Sequence, residues 1–169
     1  MKKKIDVFEH MGEILNGVKN GVLITSKADD RVNSMTISWG TVGVEWGKPI
    51  FVTFIRENRF TRSLLEKNGE FTVNIPIDDS AKKILGFCGS KSGRDIDKAK
   101  EIGLTYEEPE MTSVPGVKEL PLTLECKVVY KQTQDTEAMT EENREKFYPQ
   151  NVESSFSGAN RDTHIAYYG

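Results

Sequence analysis

Cysteine is scarce: Cys88 and Cys126 are the only two in 169 residues, they lie far apart, and neither sits in a CxxC pair. That argues against a cysteine zinc site and a disulfide scaffold, and predicts two buried thiols. A basic stripe is missing too. The 23 lysines and arginines face 26 acidic residues, and the formal net charge of -3 is spread along the whole chain. Binding to a phosphate backbone needs clustered cations, so no nucleic-acid partner is expected. No apolar run approaches the roughly 18 to 20 residues of a membrane-spanning helix, so no membrane partner is expected either. The basic start Met1–Lys4 leads to Ile5, Asp6, Val7 and then Glu9 and His10, without the apolar core of a secretion signal. The expectation is a cytoplasmic protein. No GxGxxG follows a strand-like segment, which leaves a doubly wound dinucleotide domain without its phosphate turn. No internal repeat or low-complexity segment occurs.

What is present reads as one domain over residues 1–169, a length that suits one core better than two. Val7, Phe8, Met11, Ile14 and Leu15 recur at helical spacing and predict a short N-terminal helix. The β-branched stretch Val22–Thr25 stops at the polar turn Lys27–Arg31, and a second strand runs from Val32 to Trp39. The pair predicts a hairpin with a tip of roughly four residues. Ile50–Ile55 is apolar on both faces, as a central strand is. A helix over Arg59–Lys67 ends at Gly69, and Phe71–Ile75 forms a strand closed by Pro76. Asp78, Asp79 or Ser80 caps a helix carrying Ala81, Ile84 and Leu85; Gly89–Gly93 is a small polar loop, and Asp95–Gly103 a further helix. After three prolines, the alternation from Leu122 to Tyr130 predicts a single strand of about ten residues. Gln134–Asp162 is polar, with a short helix around Glu141–Phe147, and His164–Tyr168 is strand-like. Roughly six strands broken by short helices, without regular βαβ alternation, point to a mainly β, mostly antiparallel barrel decorated by helices.

Three segments can carry chemistry. Strand alternation puts Ser34, Thr36 and Ser38 on one face and Asn33, Met35, Ile37 and Trp39 on the other. A row of hydroxyls can donate to a phosphate, a ribityl chain or the polar edge of a flavin; the alternative is a solvated strand face. Arg56, Asn58, Arg59 and Thr61 stand where a buried strand hands over to a helix. Free amides with arginines beside them make a phosphate site, unless the arginines simply pair with Glu57 or Glu66. Gly86–Arg94 superficially resembles a P-loop, but Ser90 precedes Lys91 where that motif requires glycine, and a helix leads into it. An NTPase is disfavoured. As a loop, Ser90, Lys91 and Ser92 still offer a cation, hydroxyls and amides that can cover an anionic or electron-rich ligand.

Taken in order, Asn33-Ser34-Met35-Thr36-Ile37-Ser38-Trp39, Arg56-Glu57-Asn58-Arg59-Phe60-Thr61, Phe71-Thr72-Val73-Asn74-Ile75-Pro76 and Ser92-Gly93-Arg94-Asp95-Ile96-Asp97-Lys98 resemble the flavin reductase-like, flavoredoxin-type FMN-binding split β-barrel family. Leu124-Glu125-Cys126 and the closing His164–Gly169 extend the resemblance over nearly the whole chain. It implies a homodimeric split barrel with FMN held non-covalently near the subunit interface. By position, Asn33 to Ser38 would contact the flavin ring and ribityl chain. Arg56, Asn58, Arg59 and Thr61 would hold the phosphate, and Ser90 to Ser92 would close over the cofactor. Trp39 either packs beside the flavin or belongs to the core; His164 either touches the site or a partner subunit, or is an ordinary satisfied histidine. Family members commonly continue past Tyr-Tyr-Gly with a further strand, where this sequence stops at Gly169. The implied activity is NADH- or NADPH-dependent flavin reduction, in which the cofactor does the redox chemistry and no side-chain triad is needed. The alternatives are an FMN protein that carries electrons without turnover, and a split barrel that has lost its cofactor.

Overall fold

The computed structural model describes residues 2–169. A 3-10 turn at Val7–His10 runs into α1 (Met11–Asn20), which turns Ile14, Gly17 and Val18 inward. Two four-stranded antiparallel sheets follow. The first has the order β2 (Arg31–Ile37), β1 (Val22–Ala28), β5 (Glu70–Ile75), β8 (Leu122–Lys127); the second has β3 (Gly40–Glu45), β4 (Lys48–Arg56), β10 (His164–Tyr168), β9 (Tyr130–Thr133). Between them lie Ile14, Val22, Ile24, Ile55, Leu65, Phe71, Val73, Ile75 and Tyr167, all nearly or fully buried. A second apolar cluster around Leu23, Cys88 and Leu120 packs on the outer side of the first sheet, under α3 (Lys82–Ser90) and α4 (Lys98–Ile102). The remaining elements are α2 (Phe60–Asn68), the two-residue strands β6 (Tyr106–Glu107) and β7 (Gly116–Val117), and α5 (Glu141–Phe147). The mostly antiparallel barrel architecture is as the sequence predicts, and both cysteines are free and buried.

Several boundaries differ, each for a physical reason. Strand β2 ends at Ile37, and a separate strand, β3, begins at Gly40. Gly40 and Gly43 hide its alternation, and as an edge strand β3 is only half covered. The first hairpin tip is just Asp29-Asp30, with the strands paired out to Ala28 and Arg31. The stretch from Leu122 to Tyr130 is two strands in different sheets. At the crossing, Val128 N–H donates to the Gly69 carbonyl and Val129 N–H to the Tyr168 carbonyl, so the chain changes sheet without losing its alternation. Helix α3 runs on to Ser90, so the expected loop from Gly89 begins late, while α4 starts only at Lys98, where Asp97 caps it. Gly69 ends α2 as expected, at φ +70° with its N–H on the Leu65 carbonyl.

Candidate functional site

A cleft of about 680 Å³ opens where the end of β2 meets the β4–α2 junction and the C-terminal end of α3. Asn33, Met35, Thr36, Ile37, Ser38, Trp39, Arg56, Asn58, Arg59, Thr61, Ser90, Lys91 and Ser92 all line it. Of the residues singled out from the sequence, Ser34 alone does not. Its hydroxyl is buried, 2.8 Å from Thr25 Oγ1 and 3.2 Å from the Tyr106 hydroxyl. Thr36 Oγ1 donates to the Leu85 carbonyl at 2.6 Å. The three hydroxyls do share a side of the strand, but α3 and the 106–117 hairpin cover it, so only Ser38 is exposed. The expected donor row is therefore a packing seam. Asn33 works differently: its amide donates to Thr61 Oγ1 at 2.9 Å and ties β2 to the first turn of α2. A Cβ on the buried Gly93 would collide with the Asn33 side chain and sit 2.9 Å from the Phe60 ring, so glycine there keeps the cleft wall thin.

The arginines pair with neither Glu57 nor Glu66; Glu66 instead takes Lys131 and the Tyr167 hydroxyl. Arg56 is buried and donates to the carbonyls of Asn160 (3.2 Å), Asp162 (2.6 Å) and Phe147 (2.8 Å). Arg59, in extended conformation as the N-cap of α2, donates to the carbonyls of Phe156 (2.9 Å) and Ser157 (3.1 Å). Both therefore anchor the segment between α5 and β10 that forms one side of the cleft. Burial lowers both guanidinium pKa values, yet arginine stays charged. Arg94 donates to the Asn58 carbonyl at 2.7 Å. Phe60 and Thr61 open α2 and their amides have no intrahelical acceptor, whereas the next amide, Arg62 N–H, donates to the Arg59 carbonyl at 3.1 Å.

Among the cleft residues that the sequence did not assign to the site, Lys98 and His164 stand out, the latter having been left open between a site residue and an ordinary satisfied histidine. Lys98 lines the cleft although it is almost completely buried, and its ammonium donates to the carbonyls of Ser34 (3.0 Å) and Cys88 (2.8 Å). Burial, with a smaller contribution from Arg59, brings its pKa down to about 8. Its signal was its place at the end of Asp95-Ile96-Asp97-Lys98, which alone does not say that the side chain turns inward. His164 is buried and lines the cleft as well, its Nδ1 2.8 Å from the Tyr148 hydroxyl. Trp39 is not a core residue. It is 37% exposed, edge-on to Phe147 at 5.0 Å and stacked obliquely on His164 at 4.9 Å, an aromatic wall beside the charged one. Among the described residues no group of three metal-ligating side chains occurs, and no helix is long and apolar enough to cross a membrane.

Comparison with known proteins agrees with the fold. Residues 15–141 match the flavin reductase like domain family. The protein YddH of Escherichia coli K12, uncharacterised, is 32% identical over 123 residues, which are 71% of this chain and 64% of that protein. The chain spans between 55% and 64% of the length of such curated relatives. Flavoredoxin from Methanosarcina acetivorans superposes with a TM-score of 0.63 at 23% identity, covering 88% of this chain and 63% of that one. The FMN-binding domain of a flavin reductase-like enzyme from Shewanella baltica gives a TM-score of 0.61 at 17% identity, covering 94% and 73%. These two identities speak for the fold alone, a split barrel. With three quarters of its length inside the matched domain and the same mostly antiparallel architecture, this chain belongs to the flavin reductase-like family.

Proposed function

We propose that the cleft holds FMN non-covalently and that the protein is an NADH- or NADPH-dependent flavin reductase-like oxidoreductase. The observation that carries this reading is the make-up of the cleft. In a chain of net charge -3, its lining gathers six cations, Arg56, Arg59, Lys91, Arg94, Lys98 and Lys146, against one carboxylate, Asp95, beside the aromatic wall of Trp39 and Phe147. That combination fits a flat aromatic ligand with a phosphate tail. Arg59, Arg94 and the Phe60 and Thr61 amides at the start of α2 are the phosphate donors in this reading. Ser38, Thr36, Met35 and the aromatic wall border the ring and ribityl chain, while Lys91 and Ser92 flank the opening. FMN supplies the hydride and electron chemistry; the chain binds, orients and shields it.

The buried free thiols Cys88 and Cys126 fit a reducing compartment and so a cytoplasmic location. The test is direct. Purified protein is titrated with FMN while the quenching of flavin fluorescence is followed, and the complex is then mixed without oxygen with NADH or NADPH. Saturable binding followed by prompt bleaching of the visible flavin band is expected. Absence of binding overturns the cofactor assignment, and binding without bleaching by either nucleotide overturns the reductase activity and leaves an electron carrier.

A further inference from the structure

His164 opens β10 opposite Arg56 of β4, in a position where its ring has a filled side and an open one. On the filled side its Nδ1 lies 2.8 Å from the buried Tyr148 hydroxyl. A phenol has a single proton, and Tyr148 donates its own to Gln134 Oε1 at 3.1 Å. The tyrosine oxygen must then accept from His164, which places the imidazole proton on Nδ1. Nε2 carries the lone pair. It makes no hydrogen bond among the described residues, and His164 lines the cleft. Double protonation is opposed by burial and by two cations, Arg56, whose guanidinium lies 5.1 Å over the Tyr148 ring, and Arg59. The remaining charged lining is almost wholly donor in character, so a neutral acceptor stands out chemically.

We infer that Tyr148, backed by Gln134, is a positioning residue that fixes His164 as the Nδ1–H tautomer, so that Nε2 accepts a hydrogen bond from an N–H or O–H group of the bound ligand. The imide N–H and ribityl hydroxyls of a flavin are donors of this class. The ligand's identity rests on the preceding reading of the cleft; the tautomer does not. It also gives the segment before β10 a chemical task besides packing, because Tyr148 belongs to that segment.

The experiment is a long-range proton–nitrogen correlation spectrum of the ligand-free, uniformly nitrogen-15-labelled protein at pH 7. The chain has two histidines, so the variant His10→Gln assigns the signals of His164. The expected pattern is a protonated Nδ1 and a bare Nε2. In Tyr148→Phe, and independently in Gln134→Leu, whose change lies in a half-buried side chain and leaves the barrel intact, the pattern shifts toward the Nε2–H form. An Nε2–H tautomer or an imidazolium in the unaltered protein overturns the inference, as does an unchanged tautomer in both variants. FMN is then added. Binding seen by fluorescence together with a moved Nε2 resonance supports the acceptor role, whereas binding with that resonance unmoved overturns it while the cofactor reading stands. If FMN does not bind, the cofactor reading and the ligand half of this inference both fail, and the tautomer stands on the ligand-free spectrum.

Discussion

Arg59 borders the cleft and also holds two carbonyls of the segment before β10, so its removal acts on both. Charge-assisted hydrogen bonds contribute roughly 1.5–3 kcal/mol, and Arg59→Ala is expected to weaken FMN binding by about 10- to 100-fold in a fluorescence titration. An affinity within twofold of the unaltered protein would refute its phosphate role. His164 bears on stability. Its pKa falls from an ordinary 6.5 to about 3 on folding, mainly through burial and secondarily through Arg56 and Arg59. Below pH 6.5 the unfolded chain therefore binds a proton that the folded one refuses. The associated stability is fully present above that pH and declines as pH falls toward 3, by about 2 kcal/mol between pH 7 and pH 5. The carboxylates with lowered values, Glu66, Glu70, Asp78 and Glu125, act mainly below their ordinary 4.5 or, for Asp78, 3.8, outside that window. Urea denaturation at a series of pH values checks this: His164→Gln should flatten the slope between pH 7 and 5, and an unchanged slope would show that the imidazole is not the titrating group.

At the scale of elements, the segment from α5 to β10 has little regular structure of its own and is held from outside. Arg56 takes three of its carbonyls and Arg59 two. Asp162 closes it internally through Ser154. Replacing Arg56 by alanine leaves buried carbonyls without donors, at a cost of about 3 kcal/mol. Hydrogen exchange should show the 147–162 segment losing protection while β1 and β5, in the first sheet, keep theirs. Equal loss in both would mean that Arg56 supports the whole barrel. Helical periodicity and caps made α1, α2 and α5 legible in the sequence, since each depends on neighbours a few residues away. The sheet change at Val128–Val129 was not legible, because alternation continues across it and only the partners differ.

At the scale of the molecule, Trp46, Tyr130 and Tyr168 form a contiguous aromatic group on the second sheet, with Trp46 57% and Tyr130 44% exposed. Exposed aromatic surface of this kind supports the homodimer that the family resemblance implies. We propose that dimer here; light scattering on the purified chain should give twice the 19.1 kDa monomer mass, and a monomer at micromolar concentration would overturn it.

The sequence alone determined the mostly antiparallel barrel and the family, and all but one of the fourteen residues it singled out meet in the cleft. Period-two patterning, glycine stops and ordered short motifs are local or additive signals, and they survive in one dimension. Only the tertiary structure decided what each side chain does. Ser34 and Thr36 share a strand face with Ser38, yet α3 and the 106–117 hairpin cover them. Arg56 sits at a helix entrance and yet serves carbonyls some hundred positions away. Lys98 and His164 enter the site because two distant carbonyls and one distant phenol need partners inside the fold. Satisfying buried polar groups is a matter of three-dimensional neighbours, and those neighbours exist only once the two sheets have closed on each other.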